Sequence, residues 1–152
     1  MGCKGETRVA CRTRSEPSLW YTGSMTQDEA VTHWQQRARS ELKAARILFE
    51  KEEPDVYGEV IFHCHLALEL AFKAKYIQEH DTAAPFTHNL GELAQTLNEE
   101  WSESDRMDFD HLSDSAVLAR YGDEEWHSQH ATKDKARMWI AKVDRFLAKI
   151  QP

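Results

Sequence analysis

Three polar side chains, His65, Glu69 and Lys73, stand at successive i, i+4 positions inside the most hydrophobic run of the chain, Tyr57 to Gln78. Side chains at that spacing share one helix face, and Glu preceding Lys is the favourable order for an ion pair. Glu69 and Lys73 therefore read first as a structural pair on a buried helix, and second as an acid and a cation available for chemistry. His88 stands where a helix entrance is expected, which suits a hydrogen bond near a cap; ligand binding is its second reading. Metal chemistry finds no support. His63, Cys64 and His65 are consecutive, and consecutive helical side chains point about 100° apart, so the three cannot converge on one ion. His127 and His130 offer one pair of ligands without a second. A carboxylate-bridged di-iron bundle needs two Glu-x-x-His motifs, whereas only Glu124-x-x-His127 occurs. Asp105, Asp108, Asp110 and Asp114 lack the glycine and terminal Glu of a calcium loop and read as a solvated face. No Walker loop, dinucleotide-binding glycine turn or Gly-x-Ser-x-Gly is present. No metal and no cofactor are expected.

The elements that must hold these side chains are helical. Val60, Ile61, Cys64, Ala67, Leu68 and Ala71 recur at steps of three and four, and Phe62, Leu66, Leu70 and Ala74 add a second stripe. A helix apolar over most of its circumference is covered by other elements on several sides, so 57–78 is expected to be the centre of the domain. Before it, Thr26-Gln-Asp-Glu29 is a capping box, and Trp34, Ala38, Leu42, Ala45, Leu48 and Phe49 give a long amphipathic helix to about Lys51. Pro54 marks the opening turn of the central helix, and the short connection predicts antiparallel packing. Asn89-Leu-Gly-Glu92 resembles a second capping box and opens a short third helix. Ser102 or Ser104 caps a fourth, and Gly122-Asp123 is a stop followed by a cap. The last helix, from about Thr132 to Ile150, shows the clearest seam: Ala136, Trp139, Ile140, Val143, Phe146, Leu147 and Ile150. No stretch alternates with period two. The expected fold is an all-α up-and-down bundle of about five helices, three long and two short.

The chain has 152 residues and a formal charge of −7. Residues 1–24 carry four basic against two acidic side chains, which leaves −9 on the rest. A field of that sign disfavours broad binding to a phosphate backbone, so no DNA partner is expected. Cys3, Cys11 and Cys64 form an odd set without metal spacing, which fits a reducing compartment and a thiol used as a small hydrophobe. No apolar run approaches the roughly 20 residues that span a bilayer, and the first residues lack a signal-peptide core. Glu6 stands where a myristoylation signal requires Ser or Thr. A cytoplasmic protein with no membrane partner is expected, with 1–24 a disordered N-terminal extension and 25–152 the helical domain.

Four features together resemble the HEPN domain family. They are a Trp-containing first helix, Glu69-x-x-x-Lys73-Ala74 on the central helix, Thr87-His88-Asn89-Leu90 at the entry to the third, and Ala119-Arg120-Tyr121 after the fourth. The resemblance spans about residues 26–150. It implies a homodimer-prone bundle often encoded beside a minimal nucleotidyltransferase, and in some branches a metal-independent RNase of the toxin–antitoxin type with four to six residues between an Arg and a His. Arg120 and His127 are separated by six. In that chemistry a His takes the 2′-hydroxyl proton while an Arg holds the phosphate. On an uninterrupted helix the two lie about 10 Å apart along the axis, unless Gly122 breaks the helix or a dimer mate supplies one group. Tyr121 also stands where the active branches place a small polar residue.

The expected function is thus a non-catalytic nucleotide- or partner-binding domain beside a nucleotidyltransferase, with Glu69, Lys73, His88 and Tyr121 binding the nucleotide or supporting the site. The alternative is an RNase using Arg120 and His127, and the third reading is a structural dimerisation module. A homodimer is expected because Trp101, Tyr121 and Trp126 fall in or beside loops, with the region around Arg120 near the interface.

Overall fold

The computed structural model describes residues 25–150. The expected disorder of residues 1–24, and Cys3 and Cys11, lie outside the described residues. The elements are α1 (Gln27–Phe49), a 3-10 turn (Pro54–Val56), α2 (Tyr57–His80), α3 (Leu90–Gln95), α4 (Glu103–Tyr121), α5 (Glu124–His130) and α6 (Lys133–Ile150), with no strand among the described residues. The all-α bundle is as expected, with six α-helices among the described residues against about five read from the sequence. Asp123 accepts the Trp126 amide at 2.8 Å and starts a separate seven-residue helix after the Gly122 stop, and four helices rather than three are long.

The caps set the boundaries. Thr26 Oγ1 accepts from the Glu29 amide at 3.2 Å, and Glu29 Oε2 accepts from the Thr26 amide at 2.8 Å. Ser102, not Ser104, caps α4, with Asp105 closing the reciprocal bond. At α3 only half of the expected box forms. Asn89 accepts from the Glu92 amide, but the Glu92 carboxylate accepts from the Thr87 hydroxyl at 2.7 Å, and Thr87 in turn accepts from the Asn89 amide. The tight loop places Thr87 where the Glu would have reached. α2 ends on Asp81, which is left-handed (φ 50°) and donates its amide to the Ile77 carbonyl.

α2 is the axle. It is buried on most sides and contacts α1, α3, α4 and α6. Gln27 near the start of α1 donates to the Ile77 carbonyl near the end of α2, while Phe49 at the end of α1 meets Tyr57 at the start of α2; the pair is antiparallel. Phe72 of α2, Phe109 of α4 and Phe146 of α6 meet in one aromatic cluster. Trp101 corrects the sequence reading: it is buried, 5.0 Å from Phe109 and 5.6 Å from Phe72 between ring centroids. It lies outside any helix, yet the α3–α4 connection folds it over the open end of the cluster, beneath the Lys149 ammonium. The acidic face of α4 is a second correction. Asp105 and Asp108 are buried and pair with Arg145 at 3.0 Å and Lys142 at 2.6 Å across to α6. Cys64 is fully buried, and burial pushes its thiol up to about 12, the state of an inert core side chain.

Candidate functional site: a cavity between α2 and α4

The polar line on α2 becomes a network when α3 docks. Lys73 Nζ donates to Glu69 Oε1 at 2.8 Å, and both side chains are 2% exposed. His88, in the loop that enters α3, brings its Nδ1 to the same Glu69 oxygen at 2.9 Å. His65 Nε2 donates to the His88 carbonyl at 2.9 Å, which assigns its proton to Nε2 and turns Nδ1 toward Glu69 Oε2, 3.8 Å away. A charged pair removed from water is held when its remaining polar atoms are also engaged, and His88 supplies one such partner to Glu69. The Thr87–His88 entry is thereby fastened to α2.

This network forms one wall of a cavity of about 610 Å³ between α2 and α4. Glu69, His65 and His88 line it, as do Asn89, Ser113 and Asp114, with Leu66, Ala116 and Val117 supplying apolar surface. Phe62, Arg120 and Tyr121 complete the lining. The Arg120 guanidinium lies over the Phe62 ring, 3.7 Å from its centroid, with Nη2 3.6 Å from Glu59 Oε2. Contact at that distance is a cation–π stack. The arginine is thus aimed by two residues of α2 while remaining half-exposed. Tyr121 next to it is 86% exposed.

His127 does not line the cavity. Its Nε2 is 3.2 Å from the Ala119 carbonyl oxygen and its Nδ1 2.9 Å from the Asp123 carbonyl oxygen, and its ring packs over Gly58. It ties α5 back to the end of α4 and to the start of α2. Gly122 permits that turn: a Cβ there would stand 2.4 Å from the Leu118 carbonyl oxygen. Of the residues singled out by sequence, Glu69, His88, Arg120 and Tyr121 converge on the cavity. Lys73 stands behind it as the partner of Glu69, and His127 sits apart. Phe62, Ser113, Asn89 and Asp114 were not singled out as site residues, Asp114 having been read as solvated surface. No local pattern marks them, because they become neighbours only when α2, α3 and α4 pack. No cluster of three metal-ligating side chains exists among the described residues.

A helical bundle with a buried Glu–Lys pair on its central helix, secured by a histidine from the next helix entry and facing an Arg-Tyr step at the end of the fourth helix, defines a recognisable class. The HEPN domain model matches residues 31–151, and the chain belongs to the HEPN domain family. Comparison with curated proteins and with solved structures gave no match.

The network predicts a pH response. Burial holds the His65 imidazole below its ordinary value of 6.5, only partly opposed by the Glu69 carboxylate. The unfolded chain therefore binds this proton more readily than the native state, so protonation favours unfolding. The contribution is fully present above about pH 6.5 and declines as the pH falls below it. Denaturant midpoints measured from pH 8 to pH 5 are expected to fall on the acid side, and His65→Phe is expected to flatten that slope. An unchanged slope in the variant would assign the acid loss to other groups.

Proposed function

We propose that this chain is a non-catalytic binding domain of the HEPN family that takes a nucleotide in the cavity between α2 and α4 and works beside a nucleotidyltransferase. The cavity itself carries this reading. It combines an apolar wall, a few convergent polar groups and one aimed cation, the usual make-up of a small-molecule site. The seat of His127 supports a binding rather than a cleaving role. A general base needs a ring nitrogen within reach of the proton it takes, and both nitrogens of His127 face backbone carbonyls. The RNase reading keeps one point in its favour, the half-exposed Arg120 on the cavity.

A single experiment separates the two. The protein is incubated with RNA in EDTA, and its nucleotide binding is measured by calorimetry. The expected result is no cleavage, with a nucleotide-dependent heat that Arg120→Ala weakens. EDTA-resistant cutting that leaves 2′,3′-cyclic phosphate ends and is lost in His127→Ala would replace this reading with the RNase. In the same reading the domain works as a two-fold dimer. Val117, Leu118 and Tyr121 are exposed on α4 beside Arg120 and supply an apolar contact surface, to which half-buried Trp126 adds an edge.

A further inference from the structure

Resting on the nucleotide-binding reading, we infer that the cavity accepts a nucleoside or nucleoside monophosphate, its base at Asp114 and its phosphate at Arg120, and rejects polyphosphates. The charges of the wall and their spacing along α4 favour such a ligand.

Among the described residues, Arg120 is the one Lys or Arg side chain in the lining, against two carboxylates, Glu69 and Asp114. Glu69 is already engaged by Lys73 and His88. Asp114 is exposed and has neither a hydrogen bond nor an ion pair among the described residues. It is thus an open acceptor, suited to the N–H donors on the edge of an aminated base. Ser113 beside it has a hydroxyl oxygen that accepts from the Leu90 amide at 3.0 Å, leaving its own proton to donate. Asp114 and Arg120 are six residues apart on one helix, about 9 Å of rise, comparable to the span from base edge to 5′-phosphate in a mononucleotide.

Arg120 presents a platform as well as a charge. One face of its guanidinium is covered by Phe62, which leaves the opposite face to stack and the in-plane N–H groups to bind a phosphate. Beyond Arg120 the surroundings turn against anions. Glu59 already shares its guanidinium. Arg120 belongs to the last turn of α4, where the helix dipole is negative. Asp123, Glu124 and Glu125 follow three to five residues later in sequence, at the start of α5. One phosphate meets a cation there. A second and third find no further Lys or Arg among the described lining residues, in a domain that is itself acidic.

The test is calorimetry on the full chain with adenosine, AMP, ATP and purine riboside, which lacks the 6-amino group. Circular dichroism checks that each variant is folded. The native protein is expected to bind AMP at least as well as adenosine and to bind ATP about tenfold more weakly than AMP, the scale of one charged contact. Arg120→Ala should bring AMP down to the level of adenosine. Asp114→Asn should cost adenosine about tenfold and leave purine riboside unchanged. Asp114→Lys should reverse the preference in favour of ATP. Val117→Trp, an exposed position on the lining, should block all four ligands. ATP as the tightest ligand of the native protein, or adenosine and purine riboside binding alike, would overturn this inference and leave the nucleotide-binding reading standing. Binding of none of the four to the folded protein would overturn both.

Discussion

Lys73→Met is expected to destabilise the protein by about 3–5 kcal/mol, the cost of removing one partner from a buried ion pair. Lys73 and Glu69 are each 1% exposed as residues and lie 2.8 Å apart, so neither charge has water to fall back on. With the ammonium gone, the Glu69 carboxylate stays in an apolar helix, with the His88 ring as a hydrogen-bond partner. The damage should not remain local. The His88 contact fastens the α3 entry to α2, so the cavity wall is expected to loosen with it. Urea titration followed by circular dichroism reads the stability, and amide exchange at residues 87–95 reads the loosening. The double variant Glu69→Leu/Lys73→Met discriminates between an ion pair and simple packing. Replacing both charges by apolar groups removes the desolvation cost, and half-exposed His88 can turn to solvent, so the double variant should be more stable than Lys73→Met. A single-variant loss below about 1 kcal/mol, the range of surface pairs, would show that the pair does not behave as a buried one.

The second large effect is expected at Phe109. Phe109→Ala should cost about 3–5 kcal/mol, combining lost transfer energy with an unfilled cavity. Phe109 is fully buried, and its ring is 5.3 Å from Phe72, 5.0 Å from Trp101 and 4.8 Å from Phe146 between centroids. These partners come from α2, the α3–α4 connection and α6, so the ring is the common contact of three segments. Collapse into the vacated space would need all three to move together, which places the cost at the upper end of the range. Tryptophan emission supplies a second readout: Trp101 is one of five tryptophans, and loss of its neighbour should admit water to it and shift the summed spectrum to the red. A variant that keeps native emission and loses under about 1.5 kcal/mol would mean that the cluster repacks as a volume-conserving core does.

Much of this architecture is legible one helix at a time. The capping box at Thr26 and the cap at Ser102, one of the two serines the sequence offers, mark real starts because a cap is satisfied within four residues and needs no distant partner. The seam of α6 is equally legible, because its core-facing positions recur with the helical period. The box at Asn89 fails as a reciprocal pair for a reason that period and spacing do not contain: the loop before α3 is tight enough for Thr87 to take the Glu92 carboxylate. Trp101 was misplaced for the same kind of reason. A residue outside the helices reads as surface until the element it covers is known, and here that element is an aromatic cluster assembled from three other segments.

The site divides along the same line. The face shared by His65, Glu69 and Lys73 follows from helical spacing alone, and so does the Glu69–Lys73 ion pair. The motifs that assign the chain to its family are likewise local strings: Glu69-x-x-x-Lys73-Ala74, Thr87-His88-Asn89-Leu90 and Ala119-Arg120-Tyr121. What those strings enclose was decided by the tertiary structure. His88 meets Glu69 across 19 residues, and Phe62 receives the Arg120 guanidinium across 58 residues of chain. Asp105 and Asp108 ceased to be solvated only when α6 brought Arg145 and Lys142 to them. Arg120 and His127 were separated by the turn at Gly122, which sends one to the cavity and ties the other to the end of α4. Hydrogen bonds within a turn depend on neighbours along the chain, whereas a cavity is the space left between helices, and no single helix carries its shape.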